Sequence, residues 1–245
     1  MAVIQERNSL AEVAKYNPLR CDTHFKHNIR LSDTFFQNPA VEWVSLGSVL
    51  ENVRNGMNLA TSYYSMEETS YKYISVSQIK EYGLIEKNQN FLIEEVAELN
   101  NYFELKENML LITRSGTIGT AISTSHPSFH FEEYSYVASG FVITAEVVEG
   151  VSADVIANYM NMYFVQRYLT AMSAGACQKN ISQPVISNLP IPSAVLREKK
   201  YETMFETYQQ ESRKVLQEIR EKEQLLEEKK IEISRLIAQE LELHK

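Results

Sequence analysis

The residues best suited to chemistry in this sequence are polar and sit beside glycines in short stretches. Arg114-Ser115-Gly116-Thr117-Ile118-Gly119-Thr120 follows an apolar run, Met109 to Thr113. Two glycines let such a chain turn tightly and bring its backbone close to another surface. Ser115, Thr117, Thr120 and their amides can donate to phosphate, and Arg114 can pair with guanine O6 and N7. A second stretch, Gln178-Lys179-Asn180-Ile181-Ser182, follows Gly175. Gln178 and Asn180 suit bidentate reading of adenine, Lys179 suits phosphate, and Ser182 is placed to cap a helix. Arg54-Asn55, ahead of Gly56, is a third turn of the same kind. Each stretch taken alone reads equally well as an ordinary solvated turn.

Residue patterns for catalysis are missing. The Asn-Pro pairs, Asn17-Pro18 and Asn38-Pro39, lack the second proline of a methyltransferase step, and no GxG is present. Glu104-Leu105-Lys106 resembles the last half of a nuclease motif. Metal-dependent cleavage needs clustered carboxylates, however, and the chain has only three aspartates, Asp22, Asp33 and Asp154, none just upstream. The five histidines form no HExxH, and His126 and His130 read as loop and strand residues. Cys21 and Cys177 stand apart, as two ordinary thiols of a reducing compartment. Neither a cofactor, a metal nor a catalytic residue is expected.

The elements that must position the polar stretches follow from periodicity. Ser9 to Glu12 fits a capping box, and a short helix there ends at Asn17-Pro18. After a polar stretch come β-type runs at Val41 to Leu46, Tyr71 to Val76, Met109 to Thr113 and Phe129 to Ala145. Phe91 to Leu99 carries Leu92, Val96 and Leu99 at helical spacing. From Ser152 a helix of about five turns is expected, with Ile156, Tyr159, Met160 and Tyr163 on one face, ending near Ser173-Ala174-Gly175. Pro184, Pro190 and Pro192 then mark a linker. From Ser193 to Leu243 there is no Gly or Pro, and apolar residues recur at Tyr201, Phe205, Tyr208, Val215, Ile219, Leu226, Ile233 and Leu236. Steps of three, four and seven describe a long helix with a coiled-coil seam, about 45 residues and roughly 68 Å. Ser212, Lys222 and Lys229 fall on that seam, which suits an antiparallel or multi-helix partnership better than a parallel pair. The fold class is α+β: a lead-in over 1–40, a mixed globular domain over 41–192 and a long coiled-coil helix over 193–245.

Composition bounds the possibilities. With 245 residues and 44% hydrophobic content, the chain can bury one ordinary core plus an elongated element. No run of 18 apolar residues occurs, and the start from Met1 to Glu12 has Gln5, Glu6 and Arg7 where a signal sequence would need an apolar stretch, so a cytoplasmic protein without a membrane anchor is expected. The net charge is −8, and about −7 of it belongs to the residues before Arg197. A free-standing nucleic-acid binder with that balance would be weak, so affinity would come from partner subunits and selectivity from this chain.

The order of the pieces resembles the target recognition domain plus helix of type I restriction-modification specificity subunits. The matching residues are Val41 to Gly47, Tyr73-Ile74-Ser75-Val76 with Ile79, Leu110 to Gly119, Gly175 to Ser182, and Leu189-Pro190-Ile191-Pro192 before the long helix. Where the family usually has Gly-Asp ahead of the apolar strand, this chain has Glu107-Asn108. Where it often has a glutamine after the proline pair, this chain has Arg197 or Glu198. Family members commonly carry two recognition domains separated by two antiparallel helices, and one of each is found here.

What the resemblance implies is a DNA-binding subunit without chemistry of its own, directing methyltransferase subunits, and a restriction subunit where the system has one, to double-stranded DNA. It also implies a homodimer whose terminal helices pair antiparallel, so that a twofold protein reads a bipartite palindrome. Two rivals stand beside it: a coiled-coil adaptor whose acidic front domain binds protein, and a hydrolase using Cys177.

Overall fold

The computed structural model describes residues 23–85, 90–100, 104–173 and 179–242. The expected helix start at Ser9, together with Cys177 and Gln178, lies outside them. The chain divides into two units, Met1–Glu198 and Lys199–Lys245. In chain order the first half of unit one runs α1 (Thr23–Phe36), β1 (Trp43–Ser45), β2 (Leu50–Asn55), β3 (Tyr64–Ser65), β4 (Tyr71–Ile74), β5 (Ile79–Lys80), β6 (Gly83–Leu84), β7 (Asn90–Leu92) and α2 (Val96–Asn100). The second half runs β8 (Met109–Thr113), β9 (Ala121–Ser123), β10 (Ser135–Ala138), β11 (Val142–Val147), α3 (Ala153–Asn161), α4 (Tyr163–Met172), α5 (Gln183–Ser187), β12 (Pro190–Pro192) and α6 (Ser193–Arg197). Unit two contains one helix, α7 (Lys199–Glu242). The architecture is α+β.

An unbroken apolar run without alternation fits a strand covered on both faces, and all five residues of β8 are buried. β8 lies inside an antiparallel sheet of order β2-β11-β8-β9. On one face Met109 and Leu111 join a core with Ile74, Tyr136 and Ala138 from the second sheet, β10-β4-β7-β3. On the other face α3 covers β8 and β9 and buries Ile156, Tyr159 and Met160 completely. Truncating any of the fully buried Leu110, Leu111 or Ile112 to alanine would cost about 2–5 kcal/mol. The second sheet is mixed: β10 runs parallel to β4, with Ser135 opposite Tyr71, although 64 positions separate the partners along the chain.

Several elements depart from the sequence reading. The strand expected over Val41 to Leu46 is Trp43–Ser45, and that over Tyr71 to Val76 stops at Ile74, each giving way to a short 3-10 turn. The second turn carries a capping box between Ser75 and Gln78. Phe91 to Leu99 is not one helix but strand β7 followed by α2; Leu92 and Val96, both fully buried, mimic an i,i+4 pair across the junction. Phe129 to Ala145 holds two strands separated by a turn at Ser139-Gly140-Phe141. The five-turn helix is two helices, because Met162 adopts extended backbone (φ −61°, ψ 145°). Asn161 fixes the break: its carboxamide accepts from the Ala121 N–H at 3.0 Å and donates to the Ala121 carbonyl at 2.8 Å, extending the edge of β9. Tyr163 is consequently exposed and not on the core face.

The polar stretch before Val41 contains α1, which packs on α4. Its buried face includes Asn28 and Ser32, so no apolar stripe announces it. Arg167 on α4 donates to the Asn28 carboxamide at 3.2 Å, and Ser32 donates to the Ile29 carbonyl at 2.9 Å. The proline segment is more than a linker: Pro190–Pro192 is strand β12, antiparallel to β1. The long helix expected from Ser193 breaks at Glu198, and α6 buries Ser193 and Val195.

Candidate nucleic-acid interface

β8 ends at Thr113 and the chain returns into β9 at Ala121, so the intervening residues form a hairpin loop. Its mouth is closed by Thr113 N–H donating to the Thr120 carbonyl at 2.9 Å and Gly119 N–H donating to the Thr113 carbonyl at 2.8 Å. The Thr113 hydroxyl also donates to the Thr117 carbonyl. Such a tight return requires left-handed backbone, found at Gly116 (φ +73°) and Gly119 (φ +76°). From outside, Gln166 on α4 donates to the Gly119 carbonyl at 2.8 Å.

The second polar stretch lies directly against this loop. Ile181 N–H donates to the Arg114 carbonyl at 3.0 Å, and Asn180 forms an antiparallel bridge with Ser115. On the other side of Arg114, its N–H donates to the Phe141 carbonyl at 2.9 Å. Three backbone segments thus run side by side at one end of the first sheet. The register carries the row further, since Val142 faces Thr113 and Ile143 faces Asn55.

Within this row Thr117 and Ser182 are exposed, whereas Arg114, Thr120, Lys179 and Asn180 are half-buried. No carboxylate among the described residues pairs with Arg114 or Lys179. A guanidinium and an ammonium with unneutralised charge beside hydroxyls and a carboxamide suit phosphate oxygens and base edges. Ser115 differs from expectation: it is 4% exposed, so its hydroxyl is withdrawn from the surface and the residue positions the loop. Ser182 sits at the N-cap of α5, but its side chain makes no capping hydrogen bond.

Arg54 and Asn55 are not in a turn. They close strand β2, half-buried, opposite Thr144 and Ile143 on β11. Asn55 reaches the same end of the sheet as Thr113, and its Oδ1 is buried without a hydrogen-bond partner among the described residues. A bulge at Asn52, itself left-handed at φ +50°, shifts the β2 register ahead of them.

Two neighbours of the row were not singled out in the sequence. Gly116 packs beside Val76, a Cβ there lying 3.6 Å from Cγ1, so the 3-10 turn with exposed Ser77 adjoins the hairpin loop. The turn Ser139-Gly140-Phe141 is the other, and its only sequence signal is the Ser-Gly pair inside an otherwise β-type run. The set-aside motif has a structural role: Glu104 accepts from the Ser135 hydroxyl at 2.9 Å, and Leu105 is core. His126 shares a hydrogen bond with Ser128 at 2.8 Å. Among the described residues no group of three His, Cys, Asp or Glu is placed to hold a metal.

Comparison with known proteins places these features in context. The model of the family described as type I restriction modification DNA specificity domain matches residues 40–235. No curated protein is detectably similar in sequence. Among solved structures, the chain is similar to the type I restriction-modification system S subunit from M. genitalium, at 13% identity over 69% of this chain and 39% of that one, TM-score 0.45. It is similar to a chain of a type I R-M system studied for complex assembly and conformational transition, at 12% identity over 84% and 48%, TM-score 0.52. It is also similar to the HsdS subunit from Thermoanaerobacter tengcongensis, at 10% identity over 84% and 48%, TM-score 0.48. The chain spans less than half the length of each.

Proposed function

Since this chain belongs to the type I restriction modification DNA specificity domain family, we propose that it is the part of such a system that reads DNA sequence, with no reaction of its own. The observation that carries the reading is the junction of Arg114-Ser115 with Asn180-Ile181, which brings two polar stretches 65 positions apart into one row at a sheet end. Arg114 supplies a fork of donors for guanine O6 and N7, and Asn180 a carboxamide that donates to adenine N7 and accepts from its N6 amino group, while Lys179, Thr117, Thr120 and Ser182 hold phosphates. Gln178 joins them by sequence continuity. Arg54 and Asn55 contribute from the neighbouring strand, with Arg54 set deeper along it.

Net charge does not oppose this. DNA responds to the field within about 8–10 Å of it, and among the described residues no carboxylate pairs with Arg114 or Lys179. The overall acidity assigns bulk affinity to partners, the methyltransferase subunits and, where one is present, a restriction subunit. A protein working with DNA and methyltransferase partners is expected in the cytoplasm, and among the described residues no helix is long and apolar enough to cross a membrane.

The 44 residues of α7 extend about 66 Å. Tyr208, Val215, Ile219, Leu226, Ile233 and Leu236 all remain about half exposed on it, a seam that a second copy would cover. Lys199 to Arg220 carries five basic and four acidic residues, and Glu221 to Glu242 carries four basic and seven acidic. Antiparallel pairing sets the more acidic half against the less acidic one, whereas parallel pairing sets the two most acidic halves together. The reading units then lie at opposite ends of a twofold spacer and recognise a bipartite palindrome.

Mapping methylated bases in the host genome with and without this gene tests the reading. Loss of methylation at one bipartite sequence, restored by the wild-type gene and not by an Arg114→Ala, Lys179→Ala variant, is expected. An unchanged methylation pattern would overturn it.

A further inference from the structure

The run from Tyr136 to Ala145 contains ten residues, of which nine are buried and one, Phe141, is 50% exposed. A phenyl ring left in water by an otherwise covered segment is a conspicuous choice of residue at that site. Phe141 is also fixed in place. Val142 N–H donates to the Ser139 carbonyl at 2.8 Å, Phe141 N–H to the Ser139 hydroxyl at 3.2 Å, and Gly140 N–H to the Met57 carbonyl at 3.0 Å. Asn58 lies over Gly140 so closely that a Cβ there would be 2.2 Å from its Oδ1. The turn therefore has little freedom to lose on binding, and the ring itself turns about only two bonds. The Phe141 carbonyl accepts the Arg114 N–H, so the ring is presented from the turn immediately beside the arginine.

Resting on the DNA-reading function proposed above, we propose that Phe141 is a specificity-determining residue that contacts the 5-methyl group of a thymine in the major groove. Apart from half-buried Ile118, the exposed or half-buried side chains of the row, Arg114, Thr117, Thr120, Lys179, Asn180 and Ser182, are polar, and polar groups read donors and acceptors. The major-groove edge offers one apolar feature, the thymine methyl, and phenylalanine is among the side chains that complement it. Pre-positioned Phe141 supplies what Arg114, Lys179 and Asn180 lack, a means of telling an A·T pair from its reverse by shape.

The test uses the complex of this chain with its methyltransferase partners and a duplex carrying the site defined by methylation mapping. Each thymine of one half-site is replaced in turn by deoxyuridine, which removes the methyl and keeps the pairing. One position is expected to weaken wild-type binding about three- to tenfold. The same replacement should have no further effect on Phe141→Ala, and a reduced one on Phe141→Leu, whose far-ultraviolet circular dichroism reports that the fold is retained. Equal binding to all deoxyuridine duplexes would overturn the proposal, as would an undiminished effect in Phe141→Ala or a half-site without A·T pairs. Absence of any mapped site would count against the DNA-reading function itself.

Discussion

Replacing Gly119 by alanine probes how the hairpin loop is held. At φ +76° the backbone of residue 119 is left-handed, which costs an alanine about 1–2 kcal/mol. The new Cβ would lie 2.7 Å from Leu169 Cδ1 and 3.3 Å from Leu169 Cβ. Leu169 is fully buried, so its methyl has no solvent to swing into, and overpacking adds about 1–3 kcal/mol. Gly119→Ala should therefore lose about 2–5 kcal/mol in urea denaturation, with the slope unchanged. Gly116 is the internal control: its φ is +73°, but the nearest atom to a Cβ is Val76 Cγ1 at 3.6 Å. Gly116→Ala should show only the backbone cost, about 1–2 kcal/mol. Leu169→Ala alone should cost about 2–5 kcal/mol, and the pair Gly119→Ala, Leu169→Ala at least about 1 kcal/mol less than the sum, because the added methyl enters vacated space. Equal losses at both glycines, or strict additivity in the pair, would refute the reasoning.

Arg114→Ala should relax base preference at one position by about 1–3 kcal/mol, whereas Lys179→Ala should weaken all duplexes alike and lower the slope of log affinity against log salt by about 0.9, both read by titration at several salt concentrations. Ile219→Asp with Leu226→Asp should convert a dimer to a monomer in sedimentation equilibrium; a persistent dimer would mean the α7 seam is not the interface. The Tyr134 phenol, donating to Glu68 at 2.6 Å, is pushed up to about 12, first by that hydrogen bond. A phenol whose proton is held more tightly when folded contributes stability that is complete below about pH 10 and lost as pH rises through about 12. Ultraviolet titration should show a late-titrating tyrosine signal that is reduced by one phenol in Tyr134→Phe and partly moves down in Glu68→Gln, and no movement would discount the contact.

What the sequence made legible had a local cause. Met109 to Thr113 could be read to the residue because burial on both faces leaves an unbroken apolar run, and the helix α7 because no Gly or Pro breaks the chain over 199–242. Where the cause was distant, reading stopped. α1 buries Asn28 and Ser32 against α4, so its pattern is polar where it should be apolar. The break at Met162 depends on Asn161 meeting Ala121, forty positions away. The residue types of the candidate interface were visible, but not their arrangement: Ser115 is buried beside the Asn180 bridge, and Phe141 stood concealed in what read as a single strand. Arg54-Asn55-Gly56 looked like a turn by composition, and pairing with β11 made Arg54 and Asn55 the end of a strand.

Trp43 lies beside Pro192, Val44 beside Ile191 and Ser45 beside Pro190. The polypeptide thus comes in and goes out through one doorway, and the 144 residues between Ser45 and Pro190 form a closed excursion anchored there. A different excursion with the same two ends could be grafted onto that doorway if it kept a surface for α1, which lies outside the doorway but packs on α4 within the excursion. Exchanging the excursion while keeping its two ends becomes a defined operation, with the graft points set by three residue pairs.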